Sequence, residues 1–68
     1  MEKILNTMVN DFRKELDNDY STGKITEGTY DELNFAVDNM VEVYFKSIDT
    51  LELIRMLNTF ITAYTIMK

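Results

Sequence analysis

The segment TLELIRMLNTFITAYTIMK, Thr50 to Lys68, carries only three charges, Glu52, Arg55 and Lys68, and from Phe60 to Met67 it has none. Such a run needs shelter from water. On a helical wheel Leu53, Ile54, Met56, Leu57, Phe60, Ile61, Ala63, Tyr64 and Met67 cover about half the circumference, wider than the ~100° stripe of an ordinary surface helix. One neighbouring helix does not cover that width. We therefore expect the segment to be hidden first in the chain's own core and then in a second copy or a partner. The candidate self-association surface is Leu53, Ile54, Leu57, Phe60, Ile61, Tyr64 and Met67. A competing local reading is a strand over 59–66, since Thr, Ile, Phe and Tyr favour pleated sheet, but a lone strand has only another chain to pair with.

Immediately before it, Asp49-Thr50-Leu51-Glu52 has the form of a capping box, an N-cap acceptor followed three residues later by Glu. A helix over about 50–67 follows. Upstream, Tyr30, Leu33, Val37, Met40, Val41, Tyr44 and Ile48 recur at helical spacing, with Phe45 on the shoulder, and predict a helix over about 27–47. A third apolar face, made of Ile4, Leu5, Met8, Val9, Phe12, Leu16 and Tyr20, predicts an amphipathic helix over about 2–20. Between these two lies Ser21-Thr22-Gly23-Lys24-Ile25-Thr26. Gly23 suits the left-handed position after a helix, Thr26 suits the N-cap of the next, and Ile25 stands where a hydrophobic staple reaches Tyr30.

The fold class is all-α: a three-helix bundle, or a helical hairpin plus a C-terminal helix, completed by dimerisation. Length supports that last step. A single domain of 68 residues buries only roughly 60% of the surface its unfolded chain exposes. Cysteine and histidine are both absent, so disulfides and the common zinc sites are excluded, and association is the remaining way to recover stability. There is no proline, and the two glycines, Gly23 and Gly28, fall within one six-residue stretch.

Charge narrows the function classes. The formal net charge is −5, with eleven acids and five bases in residues 1–49 against one acid and two bases in 50–68. The seven cations are scattered, so direct nucleic-acid binding is not expected. The start Met1-Glu2-Lys3-Ile4-Leu5-Asn6 does not read as a signal peptide, and the C-terminal run is too short and too interrupted for a membrane span. Cytoplasm is the default compartment.

Catalytic chemistry of the Ser-His-Asp or Cys-His kind is excluded by composition, and no glycine-rich phosphate loop is present. The neighbouring carboxylates Asp17 with Asp19, and Asp31 with Glu32, read as solvated faces. Asp17 to Gly28 has some of the acids of an EF-hand calcium loop, but its glycine comes one residue late and position twelve is Gly28 instead of Glu. No metal, cofactor or catalytic residue is assigned, and the chain is expected not to be an enzyme.

One side chain is out of place. Phe35 falls on the wheel opposite Val37, among Asp31, Asp38, Glu42 and Lys46. An aromatic ringed by carboxylates is an anchor for a partner with an apolar pocket and a basic rim, which makes Asp31, Phe35, Asp38 and Glu42 the candidate partner surface. The functional expectation is a protein-binding module, an adaptor or inhibitor. Two alternatives stand beside it: an acidic decoy that imitates nucleic acid and blocks a DNA- or RNA-binding protein, and a subunit that folds only within a larger assembly. The composition, rich in Asn, Thr, Met, Ile and Asp, resembles that of small proteins from AT-rich bacterial genomes, their phages and mobile elements, which adds weight to an inhibitor.

Overall fold

A computed structural model describes residues 2–44, 46–47 and 49–68. Three helices run in chain order, α1 over Glu2–Ser21, α2 over Glu27–Tyr44 and α3 over Thr50–Met67, and there is no strand among the described residues. Residues 59–66 are helical. The second helix stops at Tyr44, three residues short of the expected bound, and Phe45 and Ile48, both assigned above to its apolar side, lie outside the described residues.

Each boundary follows from local chemistry. At the end of α1 the Lys24 amide donates to the Asp19 carbonyl at 2.8 Å and the Gly23 amide to the Tyr20 carbonyl at 3.1 Å, the paired bonds of a Schellman cap. Gly23 supplies the positive φ, +78°, that this cap requires. Helix α2 opens with the Thr26 hydroxyl accepting from the Thr29 amide at 3.2 Å. At α3 the Asp49 carboxylate accepts from the Leu51 amide at 3.4 Å, so the cap engages the second helical residue and not the third, as the capping-box pattern implied.

Short connections make successive helices antiparallel, so α1 and α3 point the same way. Contacts confirm the arrangement: Tyr20 at the end of α1 stacks on Tyr30 near the start of α2, and Asp19 near the end of α1 meets Tyr64 near the end of α3. At mid-height Arg13 pairs with Asp38, and Phe12 meets Phe60 and Tyr64 edge-on, at 5.7 and 5.5 Å between ring centroids. Each helix touches the other two. The core is Leu5, Phe12, Leu16, Val37, Leu53, Leu57 and Tyr64, with half-buried Met8, Val9, Leu33, Met40, Phe60 and Ile61 packed on it. Two residues assigned to the inner side of α1 lie at the rim, because they sit on the edges of its apolar arc: Ile4 is 55% exposed, and Tyr20 stacks on Tyr30 at 4.9 Å while remaining exposed. Among the described residues no helix is long and apolar enough to cross a membrane.

Candidate protein-binding face and a buried carboxylate

Helix α2 offers Val37 to the core and therefore turns Phe35, two residues and about 200° away, to the outside. Val37 is fully buried and Phe35 is 71% exposed. Asp31, Phe35, Asp38 and Glu42 follow one another at spacings of four, three and four, so all four lie along one stripe of α2. The structure adds a floor to it. Between α1 and α2 runs an open groove of about 530 Å³ whose apolar base is Val9 and Val41, with Phe35 at its edge and Asn6, Arg13, Asp38 and Glu42 around it.

Arg13, which the sequence analysis did not single out, changes the electrostatics of this face. Its guanidinium pairs with the Asp38 carboxylate across the two helices. Both side chains are substantially exposed, so the pair contributes little to stability, but it fixes Asp38 beside Phe35 and neutralises it. Among the described residues Asp31 and Glu42 have no ion-pair partner. The stripe therefore presents one aromatic ring between two uncompensated carboxylates.

The self-association candidates divide between the chain's own core and its surface. Leu53, Leu57 and Tyr64 are buried in the chain's own core, and Ile54, Phe60 and Ile61 are half-buried against it. Of the seven, Met67 is 85% exposed, and Phe60, half-buried, lines the openings between α2 and α3. The chain's own core, the expected first shelter, takes most of this surface because α1 and α2 both pack on α3.

A second correction concerns Asp19. Read as one of a solvated pair, it is 1% exposed, accepting the Tyr64 hydroxyl at 2.5 Å and the Lys68 ammonium at 2.8 Å. Lys68 also reaches Glu15 at 2.5 Å and lies 5.1 Å from the centroid of the Tyr64 ring. The Lys68 ammonium first, and the Tyr64 hydroxyl second, hold the Asp19 carboxyl below the usual carboxylate range against the opposing effect of burial. Burial, reinforced by the Asp19 hydrogen bond, pushes the Tyr64 hydroxyl up to about 12. Lys68 is raised as well, by its bonds to Asp19 and then Glu15. A signal for this was present in the sequence: Phe12, Leu16 and Asp19 continue one inward face at spacings of four and three.

Asp17, the other member of that pair, does not join Asp19. It stays at the surface and accepts the Tyr30 hydroxyl, a bond that raises the Tyr30 pKa. Among the described residues no group of three or more acidic side chains converges on a point where a cation would sit. Comparisons with protein-family models, with curated proteins and with solved structures found no match to this chain.

Proposed function

We propose that the chain is a small non-enzymatic protein-binding module, an adaptor or inhibitor, that anchors Phe35 in an apolar pocket of a partner protein whose rim is basic. The observation that carries this reading is a large aromatic, 71% exposed, beside an apolar groove and flanked by Asp31 and Glu42. A ring held on a rigid helix loses little freedom on docking, and carboxylates at its edge select a partner by charge. Nothing in the core needs Phe35, so its position is open to selection for binding.

The decoy alternative draws less support, since several carboxylates are answered within the chain. Arg13 neutralises Asp38, and Lys68 serves both Glu15 and Asp19. An obligate subunit is supported less again by a core to which all three helices contribute.

The test replaces Phe35 with a photo-crosslinking phenylalanine derivative and captures the neighbour in the source cell, with exposed Asn10 as the control position. Affinity of the purified pair is then measured for wild type and Phe35→Ala over a salt series. The expected outcome is one protein crosslinked from position 35, a loss of at least roughly thirtyfold in affinity for Phe35→Ala, as for an interface hot spot, and only modest weakening with salt. Unchanged affinity for the variant, or binding that collapses with ionic strength, overturns the anchor reading.

A further inference from the structure

Between α2 and α3, on the other side of α2 from the Phe35 groove, the surface has two openings. At one end lies an opening of about 470 Å³ with Ile25, Leu33, Ala36, Ala63 and Met67 among its walls and Lys24, Glu32 and Lys68 at its rim. At the other lies an opening of about 430 Å³ between Met40, Met56 and Thr59, with Glu52 and Arg55 at the rim. Phe60 lines both, so the two openings follow one another along the α2–α3 side as a trough with Phe60 between its halves. Its α3 wall follows Glu52, Met56, Thr59, Ala63 and Met67 at spacings of four, three, four and four, the pattern of a helix-pairing seam. Thr59 and Ala63 at its middle are small and exposed, so a second helix can come close there.

We propose that this trough is filled by a second copy of the chain, α3 lying antiparallel on α3 across a two-fold axis near Phe60. Charge identifies the occupant. Residues 1–49 carry a net −6, eleven acids against five bases, and two such surfaces repel. Residues 50–68 carry a net +1, and from Met56 to Met67 they have no charge. The charged residues lining the trough are Lys24, Arg55 and Lys68 against Glu32 and Glu52, so on this side two copies approach without the repulsion of the acidic faces.

The ends of the trough also match each other when one copy is turned over. Glu52 and Lys68 stand eight residues on either side of Phe60, so an antiparallel pairing brings Glu52 to the end where Lys24 sits, Lys68 there being already held by Glu15 and Asp19. Arg55 arrives at the same end, where Glu32 stands on the neighbouring α2. Each complementary pair occurs twice by symmetry, as an isologous contact demands.

The area is small but sufficient. An 18-residue helix is about 27 Å long, and a strip of two helices is about 20 Å wide, giving roughly 500 Å² per chain and about 1,000 Å² in all, the lower end for a specific interface. The dimer is thus weak and concentration-dependent. It leaves the two Phe35 faces outside, so that a partner with paired sites gains avidity.

The experiment is molar mass by sedimentation equilibrium from micromolar to millimolar chain, with circular dichroism as the check on folding. Wild type is expected to shift from monomer to dimer, and Ala63→Arg, a change at an exposed position, to stay a folded monomer. Glu32→Lys and Arg55→Glu are each expected to weaken the dimer roughly tenfold, since each removes two ion pairs, and the double variant to recover most of the loss. A wild-type monomer throughout, a dimer indifferent to Ala63→Arg, or a double variant no better than the singles overturns the proposal. Phe35→Ala is expected to leave this equilibrium unchanged, which separates failure here from failure of the partner-binding reading.

Discussion

Asp19 carries its charge almost without access to water, and the reason it is tolerated is the company it keeps on α3. A buried carboxylate without a partner is strongly destabilising, and here the Tyr64 hydroxyl and the Lys68 ammonium both donate to the same oxygen. The sign of the pH effect follows. The folded pKa of Asp19 is below its ordinary 3.8, so its contribution is complete above that value and is lost as pH falls through the lower folded one. At the alkaline end Tyr64 is raised from 10.0 to about 12, so stability falls as pH climbs from its ordinary value to the raised one, and the raised Lys68 acts in the same direction. Urea denaturation over a pH series is expected to show both limbs. Asp19→Asn should flatten the acid limb, and Tyr64→Phe should cost about 1.5–3 kcal/mol at neutral pH, the range for a hydrogen bond to a charged group. An acid limb equally steep in wild type and Asp19→Asn would assign it to other carboxylates.

At the scale of the element, the helices end where small, identifiable groups end them. Gly23 sits at φ +78° with open space around its Cα, so Gly23→Ala meets no clash and loses stability only through backbone strain, about 1–2 kcal/mol. Removing the Asp49 cap by Asp49→Ala is expected to cost about 1 kcal/mol. The two losses should add, because the sites cap different helix ends. Both are read as shifts in the urea midpoint at constant slope, and a changed slope for either variant would mean that the helix itself had been lost. The caps were legible because each is a local event: a glycine or an acceptor within four residues of the groups it satisfies. The same holds for the inward faces of the helices. What periodicity could not supply is the edge of each face, which is why Ile4 and Tyr20 were placed inside; Asp19 was placed outside on its charge, although it continues the inward face of Phe12 and Leu16.

Across the whole molecule, the proposed dimer gives α3 a second role beside its place in the core, and mutation separates the two. Leu57 is fully buried, and Leu57→Ala is expected to cost about 2–5 kcal/mol. That is a large share of the roughly 3–10 kcal/mol available to a chain of this length. Its thermal transition should move sharply downward at every protein concentration. Ala63→Arg, on the outer side of the same helix, should leave the transition of a dilute sample in place. Finding the two variants alike would mean that α3 has a single continuous buried surface.

Fold class, helix number and the caps lay in the sequence, since they depend on hydrophobic spacing and on groups close along the chain. So did the outward placement of Phe35, because its angle from Val37 is fixed by helix geometry alone. The tertiary structure alone decided what each face meets. Leu53, Leu57 and Tyr64 turned out to be internal because α1 and α2 both cover α3. Arg13 reached Asp38, and Asp19 reached Tyr64 and Lys68, across separations of 25, 45 and 49 residues. Pairings at such distances depend on how three helices are set against one another, and helical periodicity, which describes one helix at a time, contains no term for that.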